Sequence, residues 1–196
     1  FPMGSNDQTF PWYYGLWRYL NSKLPTPAER DRVIRSLVDT TDVLESLDWR
    51  MPAEAPFGTR GSFKGPHFDD VARLLFVLKV MAQLTGKARW NELYRATLNR
   101  PTPGEPGHQG SAKSHREICR EGMKFWYAKT HNWTSCSSVA ALRALWELED
   151  DADLKQDFSA GLTASAKVAA ESLPLARQFD RDDTSPFDVD WRKSML

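Results

Sequence analysis

Cysteine is nearly absent. Cys119 and Cys136 are the two thiols in 196 residues, too few for a disulfide framework and uninformative about compartment. An excess of either charge is missing too: 26 basic residues balance 26 acidic ones. A general binder of nucleic acid or anionic membrane needs a cationic field, so neither partner is expected. No apolar run is long enough to span a bilayer, because Arg73 and Lys79 interrupt the stretch from Val71 to Leu84. Phe1-Pro2-Met3-Gly4 lacks the basic region and apolar run of a signal peptide, and a chain that opens on Phe is expected to have lost residues upstream. Phosphate-loop and dinucleotide signatures are also missing. Gly104 and Gly107 have neither the preceding strand nor the following helix that such motifs require. No cofactor and no metal are therefore expected.

What the chain does have is aromatic mass and helical periodicity. Eight Trp, five Tyr and ten Phe can fill a core or stack on sugar rings, and most are expected in the core. A first helix is predicted after Pro11, through Trp12, Tyr13, Leu16, Trp17 and Leu20. Thr26-Pro27-Ala28-Glu29 has the form of a capping box, and Val33, Ile34, Leu37, Val38 and Leu44 follow it at helical spacing. Phe68 to Thr85 is apolar almost all round and belongs inside the molecule, with Ala88 to Leu98 as its amphipathic partner. Further helices are predicted from His115 to about Lys129, from Ser137 to Leu148 and from Ala152 to Leu173.

Two connections differ from the rest. Trp49 to Pro66 is long for a helical protein and reads as a functional loop. Residues 100–114 carry almost no apolar side chain and read as a mobile loop or a seam in the chain. Wide-faced helices alternate with narrow-faced ones, which suits antiparallel hairpins whose first members lie inside.

Polar chemistry gathers at the predicted starts of the inner helices: Asn6-Asp7-Gln8-Thr9, His67-Phe68-Asp69-Asp70 and His131-Asn132-Trp133-Thr134. If the inner helices run the same way, the three stretches meet at one end. Hydrolysis of a glycosidic bond needs an acid and a second carboxylate, so Asp7 with Asp69 or Asp70 forms the first candidate pair. Trp12 and Trp133 would hold the sugar. Proton abstraction from a uronic acid would instead use His131 or His67 as base, Tyr13 as acid and Arg60 or Arg116 against the substrate carboxylate. The plainer reading is that Asp69 or Asp70 caps its helix and His67 bonds locally. Cys136 is expected to be a small buried residue, and Arg116, Glu117, Arg120 and Glu121 a solvated ion-pair lattice.

Ser5 to Leu20, Ala72-Arg73-Leu74-Leu75-Phe76 and His131 to Ser138 resemble segments of bacterial six-hairpin glycosidase-like proteins. That resemblance implies an all-α fold of the (α/α)6 toroid type, with substrate bound where the inner-helix loops meet. It also implies a carbohydrate partner, and the group holds glycoside hydrolases, unsaturated-uronide hydrolases and polysaccharide lyases. A hairpin takes on the order of 40 to 60 residues, so a single domain over 1–196 would supply about four. The expectation is thus a fragment or an open arc, completed by a second copy or by the remainder of the same chain. A non-catalytic helical binding module or scaffold is the third reading.

Overall fold

Helix α3 is the axis on which the other elements are hung. A computed structural model describes residues 5–53, 58–102, 112–123 and 125–176, with side chains over the same residues except 125–135 and 172–176. The order is α1 Asn6–Leu20, α2 Pro27–Ser46, β1 Arg50–Pro52, β2 Thr59–Ser62, α3 Phe68–Thr85, α4 Ala88–Asn99, α5 His115–Glu121, α6 Phe125–Leu148 and α7 Ala152–Ala176. As its composition requires, α3 is buried from Phe68 to Met81 apart from Asp69, Asp70 and Lys79. Gly86, left-handed at φ 64°, ends it.

Three helices run parallel. Asn6 meets Asp70, Phe10 lies edge-on to Phe76 at 5.5 Å, and Trp17 Nε1 donates to Gln83 at 2.9 Å, so α1 climbs alongside α3. Ser138 reaches the Asp69 carbonyl and Lys79 pairs with Glu149 at 2.9 Å, so α6 climbs the other side. Arg18 and Glu147, 3.0 Å apart, join α1 to α6 directly. The parallel helices therefore form a triangle in mutual contact. Outer helices return antiparallel: Arg30 bonds the Leu20 carbonyl and Tyr13 meets Thr41, placing α2 against α1. The capping box at Thr26 and Glu29 is formed as the sequence predicts.

At the far end of the triangle, Glu149 collects Lys79, the Tyr94 hydroxyl at 2.6 Å and the backbone N–H groups of Asp150 and Asp151. Burial alone would push this carboxyl up, but the bonds from Tyr94, Lys79 and Asp151 outweigh it and hold the pKa below the usual range.

Three sequence expectations are corrected. Asn6 to Thr9 form the first turn of α1, with Pro11 inside the helix; Phe10, buried among Tyr14 and Phe76, anchors this turn. His131 to Ser135 are likewise not a loop, for α6 runs unbroken from Phe125. The break falls earlier at Gly122, whose φ of 70° with ψ of −163° suits glycine alone, and no Gly or Pro follows until the helix has ended. Within Trp49 to Pro66 lies a two-stranded antiparallel hairpin, pairing Arg50 with Ser62 and Pro52 with Thr59. Trp49, Met51 and Phe63 pin it to the core, and Asp48 and Trp49, both at positive φ, turn the chain out of α2. The mobile loop or seam expected at 100–114 falls largely on 103–111, outside the described residues. Its flanks are joined by a bridge between Pro101 and Ser114 and a 2.8 Å bond from Thr102 N–H to the Lys113 carbonyl.

Backbones touch where α5 ends on α7. A Cβ built on Gly161 would lie 1.8 Å from the Cys119 carbonyl oxygen, whereas one on Gly15, exposed on α1, meets nothing within 4 Å. Gly161→Ala is expected to cost about 3 kcal/mol through overpacking, while Gly15→Ala is expected to gain roughly 0.5–1 kcal/mol of helix stability. Urea unfolding midpoints of the two variants should move in opposite directions.

Candidate functional site

The N-terminal end of the triangle carries a polar cluster set in an aromatic core. Asp69 and Asp70 occupy the first turn of α3, where the helix dipole favours carboxylates. Neither caps the helix: His67 is the N-cap residue, and its side chain makes no capping bond. One turn further on, Arg73 is buried at 0% exposure. Its Nη2 donates to Ser137 Oγ on α6 at 2.5 Å, and its guanidinium lies 5.8 Å from the Phe10 ring. Burial pulls the pKa of Arg73 down, and Asp69, Asp70 and Asp7 each push it back up. One cation thus answers to three carboxylates from two helices.

Asp70 is strongly perturbed. Desolvation raises its pKa to about 7, against the lowering effects of Arg73 and of the Asn6 hydrogen bond, with Asp69 adding to the rise. Asn6 Nδ2 donates to Asp70 Oδ1 at 3.1 Å and lies 3.4 Å from the Ser62 carbonyl. Gly65 presses on the other carboxyl oxygen, so closely that a Cβ there would sit 1.9 Å from Oδ2. The carboxyl is seated between the start of α1 and the segment leading into α3.

Asp7, Asp69, Asp70 and His67 are therefore brought to one end of the fold. The other assigned residues lie elsewhere or outside the described side chains. Tyr13 is fully buried, and its hydroxyl bonds Thr41 at 2.7 Å. Burial raises its pKa further, offset only in part by Thr41, so this phenol is a core group with no route to a substrate. Arg116 lies on α5 and pairs with Asp157 of α7. Around it the bonds reach partners outside the helix as well: Glu117 completes a capping box with Ser114, and Glu121 pairs with Lys113. Trp12 is half-buried, edge-on to Tyr13 at 5.0 Å. Arg60 is exposed on β2. His131 and Trp133 belong to α6, and their side chains are outside the described residues. Cys136 is exposed, not buried as expected.

Sequence reasoning missed the roles of Asn6, Arg73 and Ser137. A lone Arg in an otherwise apolar helix was the available signal for Arg73, since a buried charge demands partners. A cleft of about 480 Å³ lined by Lys79, Gln83, Lys87, Asn91, Glu147 and Asp150 opens at the opposite end of α3. It shares no residue with the acidic cluster. Among the described residues, no group of three or more His, Cys, Asp and Glu side chains is placed to hold a metal ion, and no helix is long and apolar enough to cross a membrane. Searches against protein-family models, curated proteins and solved structures found no match.

Proposed function

We propose that the chain is a carbohydrate-active protein of the hydrolytic kind, with Asp70 as the general acid and Asp7 as the second carboxylate. The observation that carries this reading is the meeting of Asp7 from α1 and Asp70 from α3 around Arg73, with Asp70 able to keep a proton near neutral pH. Glycoside hydrolysis needs two carboxyl groups with separated proton affinities: one donates to the leaving oxygen, and the other stays ionised to activate water or attack the sugar. Desolvation beside Gly65 supplies the first condition for Asp70. Asp7, half-buried one turn before Phe10, is the candidate for the second carboxyl group. Three hairpins with parallel inner helices also accord with a part of an (α/α)6 toroid, although direct contact between α1 and α6 leaves the site at the end of the bundle and not in a central channel.

The lyase alternative draws on Tyr13 as acid and on Arg60 or Arg116 as carboxylate clamp; Tyr13 is bonded to Thr41 in the core and Arg116 to Asp157, whereas Arg60 is exposed on β2. Asp7→Asn and Asp70→Asn, assayed for reducing-end release and for an ultraviolet-absorbing unsaturated product, separate the possibilities. Loss of reducing-end release by about 10²-fold or more in each variant is expected for hydrolysis. Formation of unsaturated product by the parent would transfer the site to lyase chemistry, and no turnover of any glycan by the parent would favour a binding module.

A further inference from the structure

Asn6 stands at the first position of α1, where a side chain is ordinarily free to face water, yet its carboxamide is turned onto the base of α3. Nδ2 donates to Asp70 Oδ1 at 3.1 Å and lies 3.4 Å from the carbonyl of Ser62 in β2. The hairpin has been brought close to allow this: a Cβ on Gly61 would stand 3.1 Å from Asn6 Cγ, and Gly61 sits at φ 132°, a conformation that L side chains rarely adopt. Gly65 completes the seat from the other side, with no room for a methyl group against Oδ2. One glycine and an amide from separate elements meet the carboxyl group, and a second glycine backs the amide.

We infer that Asn6 is a positioning residue for Asp70: its amide fixes one carboxyl oxygen, and the close backbone at Gly65 encloses the other. An amide N–H donates to the ionised carboxylate more strongly than to the acid, so Asn6 favours the charged form and sets how readily the proton leaves. The other groups bearing on Asp70 are Asp69 and Arg73 of its own helix, and Asp7 of α1 acts on Arg73 in turn. Asn6 is the neutral member of this set, and it bonds both the acid and the Ser62 carbonyl of the hairpin.

Catalytic consequences of the inference rest on the hydrolase reading, but its physical content does not. Carbon-detected NMR titration of the side-chain carboxyls, with Asp70→Asn identifying the Asp70 signal, measures the proton affinity directly. Asn6→Ala is expected to raise the Asp70 midpoint by about one pH unit, from loss of a hydrogen bond to a charged group. Asn6→Ser, which keeps a short donor, is expected to recover part of the shift. Gly65→Ala is expected to lower the midpoint by displacing the cover and admitting water. Parallel pH profiles of para-nitrophenyl glycoside hydrolysis should move with the midpoint. Shifted titrations with no hydrolysis in the parent would uphold the role of Asn6 and end the hydrolase reading. An Asp70 midpoint unchanged in both Asn6→Ala and Asn6→Ser, in proteins with parental thermal melts, would overturn the inference whatever the activity.

Discussion

Asp70→Asn is expected to yield a protein more stable than the parent at about pH 8, by roughly 2–4 kcal/mol, while removing the hydrolytic activity proposed for it. The sign follows from the raised pKa. Between the ordinary carboxylate range and about 7, the folded chain holds a proton on Asp70 that the unfolded chain has already released. Folding is therefore favoured by acid at this site. Stability falls as pH rises from near 4 to about 7 and is flat in this contribution above it. An amide carries no charge at any of these pH values and has the carboxyl's shape, so the penalty disappears while the Asn6 contact can be kept by presenting the amide oxygen. Urea unfolding at about pH 5 and pH 8 checks this: the gain should be larger at the higher pH. Equal stability of parent and variant across that range would mean that Asp70 is solvated like an ordinary surface acid, which would remove the physical basis for its role as a general acid. Stability given up at a site that needs a misplaced proton is the trade expected of functional residues.

The helices that bury a continuous face were legible in the sequence because their energetics are local and periodic. Phe68 to Thr85 is predicted from its apolar surface and its terminal Gly86, and the structure ends α3 at that glycine. Thr26 and Glu29 form the predicted reciprocal cap because both partners lie within four residues. What escaped prediction depends on distant partners. Pro11 looked like a helix start, but burial of Phe10 and Tyr13 against α3 and α2 extends α1 upstream of it. The polar run from Lys129 to Ser135 looked like a loop, yet without a glycine or proline it had nothing to stop a helix. Met51 and Phe63 sit among prolines and glycines, where no period of two could be seen, and it is their burial that fixes the hairpin. Within the site, the placing of Asp7 and Asp70 at one end of the fold was legible because both stand near the starts of helices that run parallel. Asn6 and Arg73 were not, because their importance lies in contacts across 64 residues of sequence, to Asp70 and Ser137 respectively.

Arg73→Met should be the most damaging substitution at this end of the molecule, costing about 3–5 kcal/mol near pH 8. Methionine fills a similar volume and can lie against Phe10, so packing is largely kept and the charge is the main thing removed. What remains is a half-buried group of acids without their shared counter-charge, and the bond from the guanidinium to Ser137 is lost. Arg73 lowers the Asp70 pKa, so its loss leaves that pKa further above the unfolded value and widens the window in which rising pH removes stability. The cost should accordingly shrink in acid, where Asp70 is neutral in both proteins and its attraction to the guanidinium no longer distinguishes them. Combining Arg73→Met with Asp70→Asn should recover part of the loss near pH 8, with a coupling of about 1–3 kcal/mol between neighbours that share a charge interaction. A penalty for Arg73→Met that is the same at about pH 4 and pH 8, and additive with Asp70→Asn, would show that the guanidinium serves packing alone. In that case the three carboxylates would not act as one electrostatic unit, and the division of labour between Asp7 and Asp70 would lose its support.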